Sequence, residues 1–327
     1  MSNVKLVQNI LNKEKLEHVP TRNGYGEGLV LAGKENQDVV VLGADLSEST
    51  RAAMFKKEFP DRFIQCGIAE QNMTNVAAGL ALAGKIPFVS TYAVFSPGMN
   101  WSPLRVSVIQ SDANVKVAGA HAGISVGPDG MSHQALEDIA LTRVLPHMTV
   151  VVPADEEQAR QATLALARHQ GPCYLRLARA ESPALTGQTK FELGQAQVLQ
   201  AGSDVTVVAC GLMAAEAIKA AQVLKKNGIS AEVINLHTIK PLDKNTILKS
   251  LHKTKSLVTV EEHQVAGGMG SAVLEAIASD FPVPARLVGV NDKFGQSGSA
   301  QQLLNKHQLN CEGIVQAVLQ IKNSASS

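Results

Sequence analysis

Short apolar runs alternate along this chain with longer segments of mixed polarity, and the alternation predicts its elements. Val39–Leu42 (VVVL) is continuously apolar, as in a parallel strand covered on both faces. Pro87–Tyr92, Val115–Gly119, Thr149–Val152 and Cys173–Leu177 read as further strands, and Phe63–Ile64 as a short apolar segment. Between them the pattern turns helical: a helix of small residues from Glu70, a helix over Gln134–Arg143, and one capped by Asp155 that runs to His169. Residues 1–18 pattern as a polar amphipathic helix. Pro20–Gly28 reads as turn-rich, with helical pattern resuming through Leu31 and stopping at Gly33. Ser182–Gly194 shifts to polar residues with Pro and Gly, which places a domain boundary there. Beyond it, strands Val205–Ala209, Ala231–Asn235, Leu257–Val260 and Arg286–Val290 alternate with helices Met213–Lys226, Asp243–Leu251, Gly268–Ser279 and Ile314–Ile321. Strand–helix alternation implies parallel pairing with right-handed crossovers. The expectation is an α/β chain of two domains, 1–185 and 192–327, each a mostly parallel sheet flanked by helices.

Composition narrows the function classes. A net charge of +1 gives no electrostatic case for a nucleic acid or a membrane surface. The four cysteines are far apart with no CxxC pair, as expected of reduced thiols in a cytoplasmic protein. No run of about 18 apolar residues predicts a membrane span, and the N-terminus lacks a signal peptide's apolar block.

Candidate chemistry gathers where strands end. Ligands of open α/β sheets bind at carboxyl ends of strands, which favours Asp45, Ser47 and Ser49 after the first strand; capping of a helix by Ser49 or Thr50 is the alternative. Glu70 stands at a tight, mostly apolar junction, because Ala77, Ala78, Gly79, Ala81, Ala83 and Gly84 give its helix a thin profile that another backbone, such as a second subunit's, can approach. Desolvation there favours a protonated carboxyl, whereas a plain helix-start acid is favoured by the dipole. Tyr92, Phe95 and Trp101 hold three of the twelve aromatic residues within ten positions, and so suggest a flat apolar surface for a ring. His121, Asp129 and His133 share one Gly-rich loop whose spacing resembles no zinc motif, which favours hydrogen bonding and proton transfer. Arg179 follows a strand and suits an anion, with Arg176 competing for the role. Glu261–Val273 (EEHQVAGGMGSAV) reads as a polar loop entering a tightly packed helix start, with anion binding at that helix as the second reading.

In order along the chain, GADLSES, GIAEQN, STYAVF, HAGISVGPDGMSHQ and VVPAD resemble the C-terminal half of transketolase, over essentially the whole sequence. The resemblance implies a pyrimidine-binding domain followed by a transketolase C-terminal domain, with thiamine diphosphate bound between this chain and a diphosphate-binding domain. The family's GDG…Asn-Asn motif for diphosphate and magnesium is not met; the one DG lies in GPDGMSH. The chain is therefore expected to be the second subunit of a split transketolase. It would be inactive without an N-terminal partner that holds Mg2+ (or Ca2+), and would assemble two plus two. By the same resemblance, Glu70 bonds the aminopyrimidine nitrogen, Phe95 and Tyr92 line the ring pocket, and Asp45 lies near the cofactor. His121, Asp129 and His133 form the substrate wall, and Arg22, Ser49, His121 and Arg179 meet the substrate phosphate. His263 is the candidate in the second domain. A deoxyxylulose-phosphate synthase, a 2-oxoacid dehydrogenase beta subunit and a non-catalytic partner subunit are the competing readings. The segment AVFSPGMNW departs from ordinary transketolase, and a branched or sulfonated ketose is compatible with it.

Overall fold

The computed structural model describes residues 17–187 and 189–324. The amphipathic helix expected over 1–18 lies outside them, except that His18 opens a short strand, His18–Pro20, paired antiparallel with Glu181–Pro183. Two larger sheets follow. Across the first, the order is Thr238–Lys240, Thr149–Val151, Cys173–Arg176, Lys116–Ala120, Ile86–Tyr92, Val39–Gly43 and Phe63–Gln65. Every pairing is parallel except that of Thr238–Lys240, which comes from the second half of the chain and runs antiparallel to Thr149–Val151. The second sheet runs Ala285–Val290, Leu257–Gln264, Val205–Ala209, Ala231–Asn235 and, antiparallel at its edge, Gln197–Gln200. The central strands are buried along their whole length, which is why their sequences are mostly apolar without alternation, with Lys116, Thr206, Glu232 and Asn235 as buried polar exceptions.

The first helix corrects the sequence reading. Thr21–Glu35 is helical throughout, including the stretch expected to be turns. Its glycines serve close packing. A Cβ on Gly24 would lie 1.9 Å from the carbonyl oxygen of Glu156, and one on Gly28 would lie 2.6 Å from Thr163 Cβ, both on helix Glu156–Arg168. Gly33 similarly makes room for the rings of Phe55 and Phe59. Helix propensity lost to glycine, about 1 kcal/mol each, is outweighed by contact that no side chain would allow.

Two further expectations fail for a shared reason. The helix begins at Asp138, not Gln134, because Ala135 is drawn into a β-bridge with Ala122 and the Gln134 side chain is bonded elsewhere. Glu261, Glu262 and His263 are no polar loop; they continue the strand Leu257–Gln264 and are buried. Glu261 accepts the N–H groups of Met269 (2.6 Å) and Gly270 (2.8 Å), so the next helix start already holds an anion from its own chain. Burial pushes both Glu261 and Glu262 above the usual carboxylate range. Asp155 does cap its helix, accepting from Gln158 N at 2.8 Å, and its other oxygen binds the N–H groups of Leu185 and Thr186.

Candidate active site

The carboxyl ends of five strands of the first sheet converge on one region. Strand Val39–Gly43 has Phe63–Gln65 on one side and Ile86–Tyr92 on the other, so the direction of winding reverses beside it. Asp45 and Ser49 follow Gly43, Glu70 follows Gln65, Phe95 follows Tyr92, His121 follows Ala120 and Arg179 follows Arg176.

Glu70 is the first residue of helix Glu70–Leu82 and is buried. Thr91 Oγ1, on the neighbouring strand, donates to Glu70 Oε1 at 3.1 Å. Among the described residues, Oε2 has no such donor. Successive strand residues face opposite sides, so Thr91 addresses the acid while Tyr92 turns to the rings beyond. Tyr92 stacks on Phe95 (centroids 5.9 Å apart, 13° between planes) and on His121 (3.9 Å, 26°). The His133 ring stands edge-on to both Tyr92 (6.1 Å) and Phe95 (5.7 Å). Trp101, expected with this group, packs instead on the core and donates its indole N–H to Leu141 O at 3.0 Å.

A cationic corner adjoins the rings. Arg22, in the first turn of its helix, donates from Nη1 to the carbonyl of Ser49 (2.9 Å) and to His121 Nε2 (3.2 Å). Ser49 thus contributes its carbonyl here; neither it nor Thr50 caps its short helix, and Thr50 Oγ1 donates back to Leu46 O. Burial, and then the positive charges of Arg22, Arg179, His133 and Arg51, push His121 down to about 3. The ring is therefore neutral, and because Nε2 accepts from Arg22 its proton sits on Nδ1. Among the described residues, Nδ1 of His121 and Nε of Arg22 are buried with no hydrogen-bond partner, two donors left unsatisfied at this corner. Burial and the Arg51 and Arg179 charges lower Arg22 as well. His121, Arg51 and Asp45 all have positive φ (56°, 68° and 61°), strained backbone of the kind that collects at functional sites.

Arg179 pairs with Asp129 at 3.2 Å and donates to Val126 O at 2.8 Å. Arg176 is excluded from the opening. It is buried against Asp138 through Nε (2.8 Å) and Nη2 (3.2 Å), and Nη2 also reaches the carbonyls of Ala135 and Glu262. His263 is fully buried, with Nδ1 2.7 Å from Gln264 O and Nε2 accepting the Ala140 N–H at 3.4 Å, so both ring nitrogens are taken up within the fold. Asp45 is exposed and bonded to Gln65 at the rim. The structure therefore gathers Arg22, Tyr92, Phe95, His121, Asp129, His133 and Arg179, with Glu70 bonded to Thr91 of the same strand end and Asp45 exposed at the rim. Arg51 and Thr91 were missed by sequence reasoning; a lone arginine at a short helix end and a threonine within a strand carry no signal.

The chain matches the family models for the transketolase pyrimidine-binding domain over residues 17–184 and the transketolase C-terminal domain over residues 194–314. It is 44% identical to a Methanocaldococcus jannaschii protein provisionally named a transketolase C-terminal section, over 91% of this chain and 95% of that one. It is 39% identical to the 6-deoxy-6-sulfo-D-fructose transketolase subunit SqwH of Clostridium sp. (strain MSTE9), over 94% and 96% of the two chains. A solved structure described as a split gene transketolase, inactive beta4 tetramer, superposes with a TM-score of 0.87 at 47% identity, covering 93% of this chain and 98% of that one. With both family domains matched in order, and with the buried acid, ring stack and cationic corner all set on the first of them, the chain belongs to the transketolase family.

Proposed function

We propose that this chain is one subunit of a split, thiamine-diphosphate-dependent transketolase that moves a two-carbon ketol group from a ketose phosphate to an aldose. The observation that carries this reading is the meeting of a buried carboxyl, Glu70, and the Tyr92–Phe95 ring stack at one strand end. The relatives named as transketolase subunits or sections have nearly the same length as this chain, and support the split arrangement.

The residues present fit the aminopyrimidine end of thiamine diphosphate. Glu70 keeps one carboxyl oxygen for a ring nitrogen, and Phe95 and Tyr92 offer a flat apolar face. When bound, that cofactor supplies the carbanion chemistry of ketol transfer. Asp45 lies toward the partner at the rim. Asp129 and His133 bind donor hydroxyls and move protons near the bond that breaks, with His121 beside them in the substrate wall. Arg22, Arg179 and the Nδ1–H of His121 receive the substrate's anionic end. A sulfonate meets the same donors, which makes a sulfonated ketose a natural variant of the substrate. The diphosphate and its Mg2+ (or Ca2+) belong to an N-terminal subunit. Ile68 (82% exposed), Leu82 (69%), Met99 (58%) and Val106 (49%) flank the outer face of the Glu70 helix and provide an apolar surface for a two-plus-two assembly.

The test is reconstitution with the N-terminal subunit, thiamine diphosphate and magnesium. The expected result is ketol transfer that Glu70→Ala abolishes and Glu70→Gln severely weakens. Absence of transfer from any ketose phosphate or sulfonate, or normal turnover by the Glu70 variants, would overturn the assignment.

A further inference from the structure

The loop that bears His121, Asp129 and His133 belongs to the first sheet's unit, yet the second unit shapes it. Glu262, on strand Leu257–Gln264, is buried and accepts the backbone N–H of Ser125 through Oε1 at 2.6 Å. Gly123 makes room for this: a Cβ there would lie 2.7 Å from Glu262 Oε1, and its φ is +87°. Farther along, Gln134 is buried with Nε2 close to three carbonyls, those of Ile124 (3.2 Å), Gly127 (3.3 Å) and Gln296 (3.0 Å). Gln296 lies in the segment after strand Ala285–Val290. The same segment backs the loop at Gly130, where a Cβ would lie 2.6 Å from Ser297 Oγ. Gly295 leaves its Cα bare against Gln134, since a Cβ would stand 1.7 Å from Gln134 Oε1.

A loop with three glycines at positive φ has little stiffness of its own. Its shape comes from what it is bonded to, and beside Arg179 and Gln134 of its own unit those partners include Glu262 and Gln296 of the other. We infer that Glu262 and the Gly295–Ser297 segment of the C-terminal domain are positioning elements that hold Asp129 and His133 at working height against the donor. None of them touches substrate. The inference rests on the proposed ketol transfer, and it gives the C-terminal domain a task in the reaction that its lack of site residues conceals. Without Glu262, the buried Ser125 N–H loses its acceptor and the loop must shift to find another. Displacement of a positioned group by about 1 Å is enough to cost about 100-fold in rate.

Two variants reach the loop from separate points, Glu262→Ala by removing the acceptor and Gly295→Ala by pushing on Gln134. Two readouts apply to each. Hydrogen exchange of the 123–133 amides is followed in the isolated chain, and donor kinetics with thiamine diphosphate titration in the complex with the N-terminal subunit. The expected result is exchange faster by about 10-fold or more and kcat/KM for the donor lower by about 10- to 100-fold, with cofactor affinity unchanged. Glu262→Gln, which keeps an acceptor oxygen in place, should restore both. Wild-type exchange in both alanine variants, failure of the glutamine to rescue, or cofactor affinity falling in step with activity would overturn the inference. Should the wild-type complex transfer no ketol group, the proposed function fails, while the exchange measurement still decides whether the second unit holds the loop.

Discussion

Arg179→Ala tests the anion site, because the structure separates this residue from its neighbour Arg176. Arg179 is about a third exposed (35%), pairs with Asp129 and opens on the corner occupied by Arg22 and His121. A charge-assisted contact with a phosphate or sulfonate contributes about 1.5–3 kcal/mol. Binding also draws Arg179 from its ion pair with Asp129, which at this exposure is worth no more than about 1 kcal/mol. With the ion pair at its full value the difference is about 0.5–2 kcal/mol, which corresponds to a KM higher by about 2- to 30-fold. The assay is initial-rate kinetics of the reconstituted complex with a phosphorylated ketose and with the same ketose lacking phosphate. KM should rise for the first only, with kcat within about twofold. An unchanged KM, or an equal rise for both donors, would show that the anionic end is read elsewhere.

Arg176→Ala should act on stability instead. It leaves Asp138 buried without its counter-charge, a loss of about 3–5 kcal/mol in urea unfolding; a change below about 1 kcal/mol would show that the pair matters little. His121 binds fewer protons folded than unfolded, because burial and neighbouring cations hold it down to about 3 against 6.5. Its contribution is therefore full above the unfolded pKa and is lost as pH falls from 6.5 toward 3, by up to about 1.4 kcal/mol per pH unit. His121→Asn should flatten this part of the stability–pH curve, and identical curves would refute the assignment. Gly24→Ala should lower stability by about 1–3 kcal/mol through helix separation, whereas Gly79→Ala, with open space around its Cβ, should cost nothing in the isolated chain. Equal melting shifts would contradict the packing account.

The sequence disclosed what depends on neighbours a few residues away. Continuous apolar runs located the central strands, Asp155 announced its cap, and the small residues after Glu70 marked its helix. What it concealed depends on distant partners. The glycines of Thr21–Glu35 looked like turn residues because helix Glu156–Arg168, which they admit, lies more than a hundred positions away. Glu261 and Glu262 looked solvated because the donors they accept from, Gly270 N–H and Ser125 N–H, are reached only in the fold. Strands Gln197–Gln200 and Thr238–Lys240 are too short and too polar to stand out. At the site, the ring stack, the histidines and Arg179 were legible as residue types, but the interior fate of Arg176 and the approach of Arg22 to His121 were not.

The strand Thr238–Lys240 bears on modularity. It closes the first sheet with backbone from the second half of the chain, His237 O accepts the N–H of Val152 at 2.7 Å, and Lys240 Nζ seals the carbonyls of Arg143 and Leu145. A fragment ending near residue 185 would expose Thr149–Val151 as a bare edge, open to pairing with other molecules. Exchange of C-terminal domains between relatives would have to carry this strand and its register along, or leave the recipient sheet one strand short. The polar stretch at 182–194 separates the two matched domains in sequence, but apolar clusters run across it, Val40 and Val150 with Val208 and Ile234, and Ile124 and Leu136 with Val205 and Val258; as a place to cut the protein, it is misleading.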